Sequence, residues 1–349
     1  MVLYTKPGNY SDGIITLLEI MSRVSTKVHT LRLKMNIGPD IRALNELANF
    51  IKSQRRLRKF DITDLTYTIS FSGVISALKN QENSLRELVL NGRYTSEFMV
   101  FNSFEKLEVL RIKNHEAEPL LKQLSDVCCK ISTLDINIKM VNTDNVIPLL
   151  RKSGSQLQRL SIVSSDCIIP LQSKLLRTLT DFCPNIIYFC IYYIELSNQL
   201  LKLIEGLRKL QFLSLGCTDT EIEITKSRII SLSKTLPSTL RYLQWDYVER
   251  NKILDSYTHS STSYIQSILK YCEAPLEKLI IYELDKGIIK AIIDFCIRKG
   301  TLKYGCYMNG PRILKSGCYL NRPIDYWEEL EELEEYIELM TYKYIVVRC

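Results

Sequence analysis

Leu157-Gln158-Arg159-Leu160-Ser161-Ile162 is the stretch on which the reading of this chain turns. Apolar residues stand first, fourth and sixth. The same spacing starts at Val28, Leu57, Leu85, Leu107, Ile131, Ile186, Leu210, Leu240 and Leu276, with a worn copy at Leu302. Neighbouring copies begin between 22 and 36 residues apart. In a strand, alternate side chains face opposite sides, so the fourth and sixth residues share one face. The first residue enters from the preceding turn and reaches the same interior. One such unit cannot bury its apolar face alone, whereas stacked units build a continuous core.

A strand followed by a helical stretch, repeated at roughly 20–29 residues, is the leucine-rich-repeat unit. The expected fold is therefore an α/β leucine-rich-repeat horseshoe, a solenoid with a parallel concave sheet and a helical convex side. Helical period is present between the strands at Ile41, Leu44, Leu47, Ala48 and Ile51, and at Leu120, Leu121, Leu124 and Val127. It returns at Ile288, Ile289, Ile292, Ile293 and Cys296. Three parts follow: residues 1–27 as an N-terminal capping helix, 28–310 as a solenoid of about eleven repeats, and 311–349 as a C-terminal cap. In the first part Ser11 caps a helix carrying Ile14, Leu17, Leu18, Met21 and Val24. In the last, Tyr326, Leu330, Leu333, Ile337 and Met340 form an apolar stripe on an acidic helix over 325–340 that docks on the final repeat. Tyr344 to Val347 could add a short strand. The polar stretch Asn251 to Ser263 reads as a projecting loop.

The repeat pattern asks for Asn or Cys shortly after the strand, and only Asn36 supplies it. No continuous polar ladder is expected there.

Composition narrows the classes. The longest apolar run, Ile186 to Ile194, is far shorter than the roughly 20 residues that span a bilayer. No secretory signal opens the chain, and the 11 cysteines follow no regular pairing. Reduced thiols in the cytoplasm or nucleus are expected. The net charge of +7 suits an acidic partner or simply a solvated surface. No nucleotide, metalloprotease or hydrolase motif is present, and His29, His115 and His259 are scattered. Cys128-Cys129 reads as packing, because adjacent cysteines lack zinc-type spacing. Neither cofactor, metal nor catalytic residue is expected.

What remains is the exposed face of the sheet. Outward positions are the third, fifth and seventh of each copy. Early in the chain they are polar, with Arg32, Lys34, Lys59, Arg111, Lys113 and Arg159 among them; late in the chain they are aromatic. Tyr188, Tyr192, Phe212, Tyr242, Tyr282 and Tyr304 are therefore the candidate partner-binding patch, since aromatic residues dominate interface hot spots. Tyrosine also suits strands and packs beside its neighbours, which is the plain alternative.

Leu85-Arg86-Glu87-Leu88-Val89-Leu90 and Leu276-Glu277-Lys278-Leu279-Ile280-Ile281 resemble the ribonuclease-inhibitor-like branch of leucine-rich-repeat proteins. More narrowly the chain is similar to fungal F-box/leucine-rich-repeat proteins, over about residues 28–310. The resemblance implies a non-enzymatic module whose repeats hold a substrate for ubiquitination. An F-box is not recognisable in residues 1–27, so a ubiquitin-ligase adaptor is a partner only of a longer product that carries one. A stand-alone inhibitor or scaffold is the second class. A nucleic-acid binder using the early cations is the third and weakest, because Asp61 and Asp135 lie between them.

Overall fold

The computed structural model describes residues 1–4, 11–35, 41–64, 72–92, 103–114, 121–122, 130–164, 167–218, 222–247, 260–281, 284–307 and 332–339. The chain falls into two compact units, Met1–Asn185 and Ile186–Arg348.

In the first unit the alternating stretches form β1 (Val2–Tyr4), β2 (Thr30–Met35), β3 (Lys59–Asp64), β4 (Glu87–Asn91), β5 (Val109–Asn114), β6 (Thr133–Ile138) and β7 (Arg159–Ser164). Successive strands pair in parallel and in sequence order. The register is the one the spacing requires. Leu88, Leu110, Leu134 and Leu160 lie opposite one another, as do Leu90, Ile112, Ile136 and Ile162. All eight are buried, and so are the entering residues Leu85, Leu107, Ile131 and Leu157. Burying an apolar side chain of this size stabilises by about 1.5–3 kcal/mol, so the columns carry the fold.

The second unit repeats the scheme with β8 (Tyr188–Glu195), β9 (Phe212–Thr218), β10 (Tyr242–Tyr247), β11 (Lys278–Ile281), β12 (Tyr304–Tyr307) and β13 (Glu338–Leu339), again parallel and in order. Helices alternate with strands in both units, at Ile41–Ser53, Thr143–Ser153, Gln172–Phe182, Asn198–Gly206, Ile222–Thr235, Ser260–Tyr271 and Lys286–Lys299 among others. This is the leucine-rich-repeat α/β architecture.

The helix Lys286–Lys299 shows how the sequence specifies an element. Asp285 caps it by accepting a hydrogen bond from the Ile288 N–H at 2.8 Å. Its apolar stripe of Ile288, Ile289, Ile292, Ile293 and Cys296 is buried, joined by Phe295. Gly300 ends it at φ 63°, donating its N–H to the Cys296 carbonyl at 2.7 Å. A side chain rarely adopts that backbone, which is why glycine stands there.

Several expectations change. A strand, β1, precedes the Val28 copy and pairs with β2. Helix Ser11–Val24 forms, yet Leu17, Ile20 and Val24 on it are exposed and Leu18 is the side chain it buries fully. The stretch read as a loop to Ser263 gives way to helix from Ser260. The acidic helix does not run to Met340. Residues 332–334 are helical, a turn follows, and Glu338–Leu339 pair with Tyr304–Gly305 as a further strand. The cause is packing: Leu333 and Ile337 are buried, and the Ile337 Cδ1 occupies the space that a Cβ on Gly305 would need. Asn36, Cys128, Cys129, His115, His259, most of 120–127, 325–331 and 344–347 lie outside the described residues.

A polar ladder exists, but at the other end of the strand. Gln54, buried, accepts from the Val28 N–H at 3.0 Å and donates to the Ser25 carbonyl at 2.8 Å. One repeat later Gln81, also buried, accepts from the Leu57 N–H at 3.2 Å. Its amide donates to the carbonyls of Gln54 at 2.7 Å and Ile51 at 3.0 Å. These glutamines satisfy backbone groups at the point where the chain enters each strand, where neither helix nor sheet supplies a partner.

Candidate functional site

The residues facing away from the apolar columns differ in character between the two units. In the first unit they are charged and pair across the sheet. Arg32 lies 3.7 Å from Asp61, Lys59 2.6 Å from Glu87, and Lys113 3.2 Å from Asp135. Arg111 also contacts Glu87, so one carboxylate holds two cations from flanking strands. Burial pushes Glu87 upward, but Lys59 and Arg111 together hold it below the ordinary carboxylate range. Burial pushes Asp61 above its ordinary value, with Arg32 and Lys59 opposing. Four of the six early cations thus face a carboxylate in a neighbouring strand. A phosphate backbone would have to break those pairs to reach them.

In the second unit the third positions form one continuous row. Tyr188 lies opposite Phe212, Phe212 opposite Tyr242, Tyr242 opposite Lys278, and Lys278 opposite Tyr304. Strand spacing of about 4.8 Å forces such side chains into contact. The ring centroids of Tyr188 and Phe212 are 6.2 Å apart, and those of Phe212 and Tyr242 are 5.7 Å apart. The Lys278 ammonium sits 5.5 Å from the Tyr304 ring centroid.

Beside this row runs a polar one of Cys190, Ser214 and Gln244. Tyr192 ties the two together. Its ring lies over Gly216 on the next strand, where a Cβ would come within 2.2 Å of it. That close approach is open only to glycine. The Tyr192 hydroxyl then reaches β10 and accepts from the Gln244 amide at 2.8 Å, with the Ser214 hydroxyl 3.4 Å away. The Tyr242 hydroxyl donates to the other end of Gln244 at 3.4 Å. Immediately after Tyr192 the strand carries a bulge, and Tyr193 there has φ 60°. Left-handed backbone in a bulky residue stores strain, and bulges re-aim neighbouring side chains.

The structure thus brings together Tyr188, Tyr192, Phe212 and Tyr242, and places Tyr304 at the far end of the row beyond Lys278. Tyr282 lies outside the described residues. The expectation that the patch is solvent-facing needs correction at two positions. Tyr188 and Tyr242 are 7% and 2% exposed, whereas Phe212, Tyr192 and Tyr304 are half-exposed. Tyr242 is enclosed because its ring packs on Phe212 and its hydroxyl is engaged. Sequence reasoning missed Gln244, Ser214, Gly216 and Tyr193. A glycine among large residues at the seventh position was the available signal.

A double-mutant cycle tests the Tyr192–Gly216 fit. Gly216→Ala should destabilise by about 2 kcal/mol through overpacking, and by much less in a Tyr192→Ala background. Equal losses in both backgrounds would mean the ring does not depend on the missing Cβ.

Among the described residues no three His, Cys, Asp or Glu side chains gather as a metal site. No described helix is long and apolar enough to cross a membrane. Cys167, Cys183, Cys190, Cys217, Cys272 and Cys296 are free thiols. Burial pushes Cys183 up to about 12 and Cys272 and Cys296 up to about 11, so these three stay protonated and unreactive at neutral pH.

No protein-family model matches the chain, and no curated protein matches it. Among solved structures it is similar to a chain in the crystal structure of the yeast Rad7–Elc1 complex, at 14% identity and a TM-score of 0.46, covering 91% of this chain and 87% of that one.

Proposed function

We propose that this chain is a non-enzymatic protein-recognition module, the substrate-recognition part of an F-box/leucine-rich-repeat ubiquitin-ligase receptor or a descendant of one, acting inside the cell. The observation that carries the recognition reading is the aromatic row of the second unit, with Phe212 and Tyr304 half-exposed in it and Tyr192 half-exposed nearby, on the face that the core does not use. Rings held by their neighbours lose little entropy on binding, which favours them as anchors. The ubiquitin-ligase part rests on the repeat motifs around Leu85 and Leu276. A protein partner is favoured over nucleic acid because Arg32, Lys59, Arg111 and Lys113 already have carboxylate partners.

The test begins with affinity capture of partners from cell extract, identified by mass spectrometry, followed by binding measurements on single variants. Phe212→Ala should weaken the captured partner by about 2 kcal/mol, roughly thirtyfold, while shifting melting only slightly. Tyr242→Ala should instead lower stability by about 3 kcal/mol, because it empties a buried site. Unchanged binding in Phe212→Ala would move the interface elsewhere. Ligase subunits among the captured proteins distinguish the receptor from a stand-alone inhibitor or scaffold.

A further inference from the structure

We infer that Lys278 is an anion-receiving position within the aromatic row, and that the protein partner presents an aspartate or glutamate there, flanked by apolar side chains. This rests on the recognition reading above. Lys278 is the cation of the row, which runs Tyr188, Phe212, Tyr242, Lys278, Tyr304 and ends on Glu338 one strand beyond Tyr304. Lys278 is half-buried and lies opposite Tyr242 on one side and Tyr304 on the other, so its side chain has given up part of its hydration. Its contact among the described residues is the Tyr304 ring at 5.5 Å, with no carboxylate in ion-pair range. A ring face satisfies a cation partially and leaves its N–H groups able to donate.

The contrast with the first unit sharpens the point. There Lys59, Arg111 and Lys113 occupy comparable outward positions, and each has a carboxylate from an adjacent strand. Among the described residues the carboxylate next to Lys278 in the chain is Glu277, and it is already taken up by Arg241 at 3.6 Å and Lys303 at 3.5 Å. Arg241, Lys278 and Lys303 against Glu277 and Glu338 leave the described edge of β10–β12 with one net positive charge. An incoming carboxylate is attracted by that field and can accept directly from Lys278. The tyrosines on either side would cover the apolar residues next to it.

The experiment pans a phage-displayed random peptide library against the full chain, with Lys278→Met, Lys278→Glu and Phe212→Ala panned in parallel. Lys278→Met keeps the aliphatic stem and removes the charge, and circular dichroism checks that each variant is folded. Peptides held by the wild type should be enriched severalfold in Asp and Glu beside apolar residues. The enrichment should vanish with Lys278→Met and turn toward Lys and Arg with Lys278→Glu. A resynthesised acidic peptide should bind Lys278→Met at least about tenfold more weakly, the scale of one lost charge-assisted hydrogen bond. Acidic enrichment that survives in Lys278→Met overturns the inference. So do peptides that depend on Phe212 but carry no acidic bias, although these leave the recognition surface standing. If no selected peptide depends on Phe212, the recognition surface itself falls.

Discussion

Leu160→Asp should abolish cooperative unfolding of the Met1–Asn185 unit. Leu160 lies on β7 opposite Leu134 and is fully buried, with Ile162 buried on the same strand and Leu157 buried just before it. The substitution removes the transfer energy of a leucine and places a carboxylate where no cation or donor replaces water. Truncation alone would be worth about 2–5 kcal/mol, and an unpaired buried charge adds several more. The total rivals the whole stability of a domain, about 5–15 kcal/mol. Repeats contact only their neighbours, so the damage propagates as lost interfaces on both sides. Thermal unfolding followed by far-ultraviolet circular dichroism is the check. Gln158→Asp, two residues earlier and exposed, is the control and should melt like the wild type. If Leu160→Asp melts cooperatively within a few degrees of it, the column is not where the register puts it.

The second large effect is expected from Gln81→Leu. Leucine matches glutamine in size and is more apolar, so a transfer argument alone favours the variant. The hydrogen bonds reverse that sign. The Leu57 N–H and the Gln54 carbonyl both depend on the Gln81 amide and are far from water. Each buried group left unmade costs about 1–3 kcal/mol. A loss near 3 kcal/mol should follow, appearing as a drop of roughly 10 °C in Tm. Gln54→Leu should act similarly one repeat earlier, through the Val28 N–H and the Ser25 carbonyl. A neutral Gln81→Leu would mean that water reaches this end of the strand and that the ladder is ornamental.

The glutamines also mark where reading the chain alone stops. Apolar spacing identifies a strand because one face must be buried whatever the neighbours are. Leu88, Leu110, Leu134 and Leu160 could therefore be placed side by side from their positions in the repeat. Gln54 stands three residues before the next entering leucine, Leu57, and Gln81 stands four before Leu85, since a short 3₁₀ helix over Leu78–Gln81 and the turn after it take up the difference. A fixed-offset search misses a ladder whose members are offset unequally. The tail failed for a related reason. An apolar stripe over 325–340 satisfies a helix, but the open edge of β12 offers strand pairing to Glu338–Leu339, and a stripe cannot weigh that competitor.

The site divides along the same line. Which residues share the outward face was set by alternation, so the row Tyr188, Phe212, Tyr242, Lys278, Tyr304 was legible from the sequence. How far each ring is exposed was not. Exposure depends on what leans over a residue, and Tyr242 is closed off by Phe212 and by a hydroxyl bond to Gln244, while Phe212 stays half-open. Nor could period-two counting show that a missing Cβ at Gly216 lets Tyr192 cross one strand and bond to the next. By itself the sequence determined the repeat, the parallel register and the outward face, because each follows from local periodicity and the need to bury apolar columns. Only tertiary structure decided which cations are neutralised, which rings remain accessible and which strand takes the tail, because those depend on distances between side chains that are far apart in the chain.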